Sequence, residues 1–347
     1  IPRIFEDLRI STLKIQAILW PEARRRPDEP FTSTTLDPFK HCVLAGGESA
    51  ESDISLKSGE SVSRALTARG HQVVTVDPSL VDLETYDWST CDVVFLALHG
   101  TYGEDGTIQA TLERLGVPYS GCDAPTSKLA FSKSASKERF IQQNVSTPSY
   151  VLIHESDDAQ RIEQHARSMG YPLVVKPDAQ GSSLGVTIVK SPEELPQALT
   201  RCFHYDSFGI MESAIAGTEW TVSLVDDDVL PLIQIETPHE FFDYEAKYLE
   251  DSTQYHFEFQ QPTNVIQSII KTGVGACQAL GTSGIVRVDI LLDRFQQPWV
   301  LEVNTIPGFT DHSLVPKAAA QAGLDFGELC ERVLLSRLAK VTTRPQN

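Results

Sequence analysis

Apolar residues come in nearly continuous runs over the first third of the chain. Val43-Leu44-Ala45 gives way to Gly46-Gly47, then to a stretch carrying Val62, Ala65 and Leu66 that stops at Gly70. Three- and four-residue spacing closed by a glycine predicts a helix. A second run, 73–76, ends at Asp77-Pro78, and a third, 93–98, enters His99-Gly100. Strands that are apolar on both faces and alternate with helices predict a parallel sheet whose ligand crevice lies at the strands' C-terminal ends. Both glycine-containing loops fall at such ends.

The pattern changes near Lys133, where a helix is expected to about 143, followed by Pro148 and a strand at 150–153. Pro172-Leu173-Val174-Val175-Lys176-Pro177 through Gly185-Val186 predicts strand, flexible loop, strand. Further strands are expected at 221–225, 229–235, 285–292 and 299–304, with helices at 264–280 and 326–338. A chain of 347 residues exceeds the size at which one core stops growing, so two or three domains are expected. The first 40 residues have mixed polarity and read as an irregular extension, with Arg24-Arg25-Arg26 a solvated turn. No internal repeat or low-complexity tract is evident.

The strands around Asp289 and Glu302 constrain chemistry most. Side chains alternate faces with period two, so Arg287 and Asp289 share one face, as do Glu302 and Asn304. The segment 293–298 is short enough for an antiparallel hairpin, which would bring the four polar groups together. Two carboxylates and an amide oxygen are hard ligands suited to Mg²⁺ shared with phosphate oxygens. The plainer alternative is the solvated face of an edge hairpin. Against it stands the continuation Thr305-Ile306-Pro307-Gly308-Phe309-Thr310, whose turn supplies backbone N–H groups for an oxyanion or carboxylate.

Lys176 follows three apolar residues, where a strand would bury it, and a buried ammonium needs an anionic partner. A phosphate would serve; the alternative is a lysine snorkelling from a strand end. Gly181-Ser182-Ser183-Leu184-Gly185 adds glycines, backbone donors and hydroxyls, the ingredients of a phosphate-covering flap, though it matches neither the Walker loop nor the dinucleotide fingerprint.

Composition narrows the partners. A net charge of −18 argues against nonspecific nucleic-acid or anionic-membrane binding, so phosphates must be held by a few placed cations and a metal. The six cysteines are scattered with no CxxC pair and read as reduced thiols. No apolar run approaches the roughly 20 residues needed to span a bilayer, and no charged leader precedes a short apolar stretch. A soluble cytoplasmic protein is expected.

These residues resemble the D-alanine:D-alanine ligase family of the ATP-grasp superfamily, over about 42–338. The motifs that carry the resemblance are Gly46-Gly47-Glu48-Ser49-Ala50-Glu51, His99-Gly100-Thr101-Tyr102-Gly103-Glu104-Asp105-Gly106, and Lys176-Pro177 through Gly185. Glu245-Ala246-Lys247-Tyr248, Arg287-Val288-Asp289 and Glu302-Val303-Asn304-Thr305-Ile306-Pro307-Gly308 complete the series. The resemblance implies an ATP-grasp fold of mixed α/β and α+β class: a parallel-sheet α/β substrate domain at 41–131 after the 1–40 extension, a small central subdomain at 132–219, and a C-terminal catalytic domain at 220–347. It also implies a homodimer.

By the same resemblance, Lys133 and Lys176, with Ser183, would hold the ATP phosphates. Glu212, Ala214 and Ile215 would line the adenine pocket and Glu219 would bind the ribose. Asp289, Glu302 and Asn304 would coordinate two Mg²⁺ ions, for which Mn²⁺ could substitute, in agreement with the hairpin argument. Glu51 would take the ammonium of the first D-alanine with His99 near it. Arg287 and the backbone of Gly308 would stabilise the oxyanion, and Ser313 and Leu314 would receive the second carboxylate. Lys247 would touch the transferring phosphoryl group, while Tyr248 and Ser182 would link to Glu51 and close the site. The implied reaction makes D-alanyl-D-alanine, a peptidoglycan precursor, through an acylphosphate.

Two departures stand out. Ser132 occupies the place where the family usually has an acid before the first nucleotide lysine. His256-Phe257-Glu258-Phe259 replaces a Cys-Pro-Ala-like stretch. The competing readings are a ligase that uses D-lactate or D-serine second, and a noncatalytic binding module. The second would be favoured by loss of a metal ligand, Lys176 or Arg287, and all are present.

Overall fold

A computed structural model describes residues 40–238, 252–310 and 313–342, with side chains described to 335. Strands β1 (Lys40–Leu44), β2 (Gln72–Val76) and β3 (Val93–Leu96) form a parallel sheet in the order β2-β1-β3. Helix α1 (Ser52–Ala68) crosses over between the first two and buries Ile54, Val62 and Leu66. Leu44 pairs with both Val76 and Leu96, so β1 and β3 end level. Their following loops therefore open side by side, at the crevice expected for parallel strands. The strand expected at 93–98 ends as a ladder at Leu96, although Ala97 and Leu98 stay buried and Ala97 N–H still donates to the Leu44 carbonyl at 2.9 Å.

Three helices follow: α2 (Thr107–Leu115), α3 (Ala124–Phe131) and α4 (Lys133–Gln142). The Ser132 hydroxyl caps α4 by accepting from Ala135 N–H. Ser132 also donates to Asp178 at 2.7 Å, and Ser134 N–H donates to the other Asp178 oxygen at 2.7 Å. Asp178 thus supplies the acid that Ser132 lacks, at the helix end where negative charge is favourable.

A four-stranded antiparallel sheet comprises β4 (Tyr150–His154), β5 (Leu173–Pro177), β6 (Thr187–Val189) and β7 (Phe208–Ser213), in the order β4-β7-β5-β6. Helices α5 (Ala159–Met169) and α6 (Leu195–Phe203) cover one face: Ile162, Ala166, Leu195 and Ala198 pack with Leu173 and Val175. Alternation then turns Lys176 and Glu212 to the opposite face.

The third sheet is antiparallel and contains β8 (Gly217–Val225), β9 (Asp228–Val229), β10 (Ile233–Glu236), β11 (Gln254–His256), β12 (Ile285–Asp293) and β13 (Pro298–Asn304). Its order is β11-β10-β8-β12-β13, with β9 on β8. The strand expected at 229–235 is two short ones, because Pro231 has no N–H to donate to a ladder. β8 starts earlier than expected, since it pairs with β12 from Gly217↔Asp293 onward.

Helix α7 (Thr263–Leu280) buries Ile266, Ile269 and Ile270 against one face of this sheet, in a core that also takes Phe140 of α4. Along β12 the residues Val286, Val288 and Ile290 are buried against it, leaving Arg287, Asp289 and Leu291 half-buried on the other face. Helices α8 (Leu314–Gln321) and α9 (Phe326–Thr342) complete the described fold. Val43, Val62 and Phe95 share one core with Ile233, Ile285 and Leu329, so the first and third sheets are packed as one body at that seam.

Candidate active site

Between the free faces of the second and third sheets lies a cleft of about 470 Å³. That falls within the roughly 300–1,000 Å³ range of small-molecule sites. Lys133, Lys176 and Ser183 line it, with Asp289 and Glu302 on the opposite wall; Glu212, Ala214, Ile215 and Glu219 line it as well. The sequence expectation placed all nine at a nucleotide, and the fold brings them to one cavity.

The cationic side of the cleft is built around a buried carboxylate. Glu212 Oε1 lies 2.5 Å from Lys176 Nζ, and its Oε2 lies 2.8 Å from Lys137 Nζ. Burial alone would raise the pKa of Glu212, but the two ammonium groups outweigh it and hold the acid below its ordinary value. Burial pushes Lys137 the other way, down to about 8, despite the attraction of Glu212. Lys137 Nζ also donates to Thr147 Oγ1 at 2.7 Å, and Thr147 in turn to the Val300 carbonyl at 2.8 Å. Lys133 Nζ donates to the Gln180 carbonyl at 2.6 Å and lies 3.4 Å from Glu302 Oε2. Glu212 is expected beside adenine; its carboxylate is occupied in orienting the two lysines.

On the opposite wall the hairpin pairs Arg287 with Asn304 and Asp289 with Glu302, and the register then shifts by one residue between Asp289 and Ile290. Arg287 grips Asp289 with two hydrogen bonds of 2.8 Å, and Asn304 Nδ2 donates to Asp289 at 3.2 Å. The four polar groups therefore converge as expected from strand period. Two carboxylates and a side-chain amide, whose oxygen is a hard donor, fit the donor set of a hard divalent cation.

At the mouth of the parallel sheet, Glu51 precedes α1 and is buried. Its Oε1 accepts from the Ser182 hydroxyl. Two glycines make room for it: a Cβ on Gly100 or on Gly181 would stand 2.6 Å from Glu51 Oε2. Ser182 and Ser183 both have positive φ, +51° and +58°, so the loop carrying them is held in a conformation that L-residues avoid.

His99 is buried, with Nε2 3.1 Å from Ser58 Oγ and Nδ1 3.2 Å from the Ile306 carbonyl. Burial pushes its pKa down to about 4, so the ring is neutral near pH 7. Ser313 precedes α8; its Oγ accepts from Thr310 N–H at 3.0 Å and lies 3.1 Å from the Cβ position of Gly308. Leu314 opens that helix. Lys247 and Tyr248 lie outside the described residues.

Three functional neighbours escape a reading of the sequence motifs as such. Lys137 sits one turn along α4 from Lys133. Asp178 ties β5 to the start of α4. Glu104 accepts from Gly100 N–H at 2.8 Å, and burial first, then the Glu51 charge, pushes its pKa up to about 8.

Comparison with known proteins finds relatives of the whole fold. A family model described as D-ala D-ala ligase C-terminus matches residues 140–335, and one described as D-ala D-ala ligase N-terminus matches 78–122. A D-alanine–D-alanine ligase of Geobacter sulfurreducens is 40% identical over 314 residues, covering 90% of this chain and 98% of the relative. One from Ectopseudomonas mendocina is 41% identical over 304 residues, 87% of this chain and 96% of its own. The crystal structure of the Bacillus anthracis D-alanine–D-alanine ligase complexed with ATP superposes with a TM-score of 0.76 at 32% identity, over 88% of this chain and 99% of that one. The VanG D-Ala:D-Ser ligase of Enterococcus faecalis gives 0.76 at 27% identity, over 87% and 100%.

Proposed function

The chain belongs to the D-alanine–D-alanine ligase family, and from that premise we propose how its own residues perform the ATP-dependent joining of two D-alanine molecules for cell-wall synthesis. The observation that carries the assignment of roles is the cleft in which Lys133 and the Glu212-paired Lys176 face the Asp289–Glu302 hairpin.

A carboxylate is a poor acyl donor, so the first D-alanine is activated by the γ-phosphoryl group of ATP, giving an acylphosphate and ADP. Lys133 and Lys176 neutralise the phosphate oxygens, Ala214 and Ile215 bound the adenine, and Glu219 takes the ribose hydroxyls. Asp289, Glu302 and Asn304 would hold Mg²⁺, which supplies charge neutralisation between the phosphates. Glu51 holds the ammonium of the first D-alanine. The amine of the second then attacks the carbonyl carbon; the oxygen becomes an oxyanion facing Arg287 and the Gly308 N–H, and phosphate leaves as the amide forms. Ser313 and Leu314 N–H receive the second carboxylate at the start of α8, where backbone donors favour an anion. Closure over an intermediate that water would hydrolyse falls to the Ser182 loop.

The three sheets support a division near 131 and 219 into substrate, central and catalytic domains. Family membership supports a cytoplasmic homodimer, which sedimentation and cell fractionation test.

The reaction is tested by measuring phosphate release from ATP with D-alanine, L-alanine and D-lactate side by side. Release with D-alanine alone, one ADP and one phosphate per dipeptide, is expected; pyrophosphate would overturn the acylphosphate route. Glu302→Gln should nearly abolish turnover with Tm unchanged, and full activity in that variant would remove Glu302 from the metal site.

A further inference from the structure

His99 is expected beside the first substrate's ammonium, yet both of its ring nitrogens are engaged away from Glu51. Nδ1 faces the Ile306 carbonyl, which has no proton to give, so Nδ1 carries the hydrogen and donates. In a neutral ring Nε2 is then the acceptor, and the Ser58 hydroxyl donates to it over 3.1 Å. Ser58 Oγ keeps its lone pairs and accepts from Phe309 N–H at 3.4 Å. One assignment of protons satisfies all three contacts, and all the groups are buried.

The two ends of this hydrogen-bonded relay flank Pro307 and Gly308. Ile306 lies two positions before Gly308 and Phe309 one after. Ile306 packs with Leu44 and Leu98 of the first sheet's core, whereas Phe309 packs with Phe95 and Phe326, at ring separations of 5.2 and 5.4 Å. Ser58, fully buried on α1, therefore fastens both sides of the turn that aims the Gly308 N–H.

We propose that Ser58, through His99 and the Phe309 N–H, is a positioning residue for the Gly308 backbone donor, so that α1 sets the oxyanion geometry of the catalytic domain. The inference rests on the reading above that Gly308 meets the oxyanion formed when the second amine attacks. Removing Ser58 should then damage that attack and spare the phosphoryl transfer before it.

The experiment compares two readouts in the full-length protein. Scrambling of ¹⁸O from the β,γ-bridge of ATP into the β-nonbridging positions, with D-alanine present, reports reversible acylphosphate formation; dipeptide formation reports both steps. Ser58→Ala should lower kcat for dipeptide about 10- to 100-fold, somewhat less than outright loss of an oxyanion donor. KM for ATP and the rate of ¹⁸O scrambling should remain within about twofold of the parent, a change of under half a kcal/mol in barrier. Ser58→Cys, which keeps the volume with a weaker donor, should show the same split in smaller measure and guards against a folding defect in the alanine variant. Combined with His99→Gln, Ser58→Ala should add less than it costs in the parent, because only the Phe309 contact is then left to lose.

Equal loss of scrambling and dipeptide formation, additive losses in the double variant, or an unchanged kcat would each overturn the inference. Pyrophosphate in place of ADP and phosphate from the parent protein would instead sink the acylphosphate reading itself, and this inference with it.

Discussion

Ser182 donates its hydroxyl hydrogen bond to Glu51 across 131 residues of chain, tying the loop over the nucleotide cleft to the start of α1. Glu51 is buried, so its charge depends on such partners. A loop that closes over ATP thereby reaches the residue proposed to hold the first D-alanine. Ser182→Ala should lower kcat/KM for D-alanine by about 5- to 150-fold, the equivalent of roughly 1–3 kcal/mol for a buried partner left with one hydrogen bond fewer. Steady-state kinetics check this; parent-like values would separate the loop from the substrate site.

Glu212 is the hinge of the cationic wall. Removing one member of a buried ion pair typically costs about 3–5 kcal/mol, because the surviving charges stay buried without compensation. Glu212→Gln leaves Lys137 and Lys176 facing one another around a neutral amide, so a loss of stability in that range is expected in urea unfolding. Lys137→Met removes a charge that burial already disfavours, and should cost less. ATP binding, measured by calorimetry, should weaken in both. If Lys137→Met proves the more destabilising, the proposed order of burial over attraction at Lys137 is wrong.

Glu104 predicts a pH effect. Its pKa is raised from 4.5 to about 8, chiefly by burial and then by Glu51. In this window the folded state holds a proton that the unfolded state has released, so stability falls as pH rises from about 4.5 through about 8. The contribution is complete below the lower value and lost above the upper one. Glu104→Gln, which mimics the protonated side chain, should flatten this part of the Tm–pH profile. An unaltered profile would show that Glu104 ionises normally in the fold.

The parts of this site legible in the sequence are those enforced by local geometry. Period two on β12 and β13 places Arg287, Asp289, Glu302 and Asn304 together whatever the rest of the chain does, and an abrupt charge after Leu173-Val174-Val175 marks Lys176. The parallel sheet was legible because its strands are apolar on both faces. Lys137 was not, since a lysine four residues after Lys133 looks like an ordinary polar helix face; only β7, delivering Glu212, makes it a buried cation. Ser58 and Glu104 are equally nonlocal, each defined by a loop from elsewhere in the chain. Helix α5 is faint in the sequence because its apolar stripe is thin, with only Ile162 and Ala166 buried in an otherwise polar segment.

Gly100 and Gly181 offer the sharpest test of the Glu51 site, because they press on the same oxygen from two directions. A methyl group on either would come within 2.6 Å of Glu51 Oε2. At Gly181 the obstruction is the end of a side chain that can swing, so Gly181→Ala should displace the carboxylate and leave the backbone as it is. KM for the first D-alanine should then rise, with Tm nearly unchanged. Gly100 differs in its backbone: φ is +72°, where an L-residue costs roughly 1–2 kcal/mol. A Cβ there would also stand 3.4 Å from the Ser49 side chain. Gly100→Ala should therefore show the same rise in KM together with a lower Tm. Initial-rate kinetics at both alanine sites, run beside thermal unfolding, distinguish the two. Should Gly181→Ala keep the parent's KM for the first D-alanine, Glu51 would not be the group that holds it, since the substitution leaves no room for the carboxylate to stay in place.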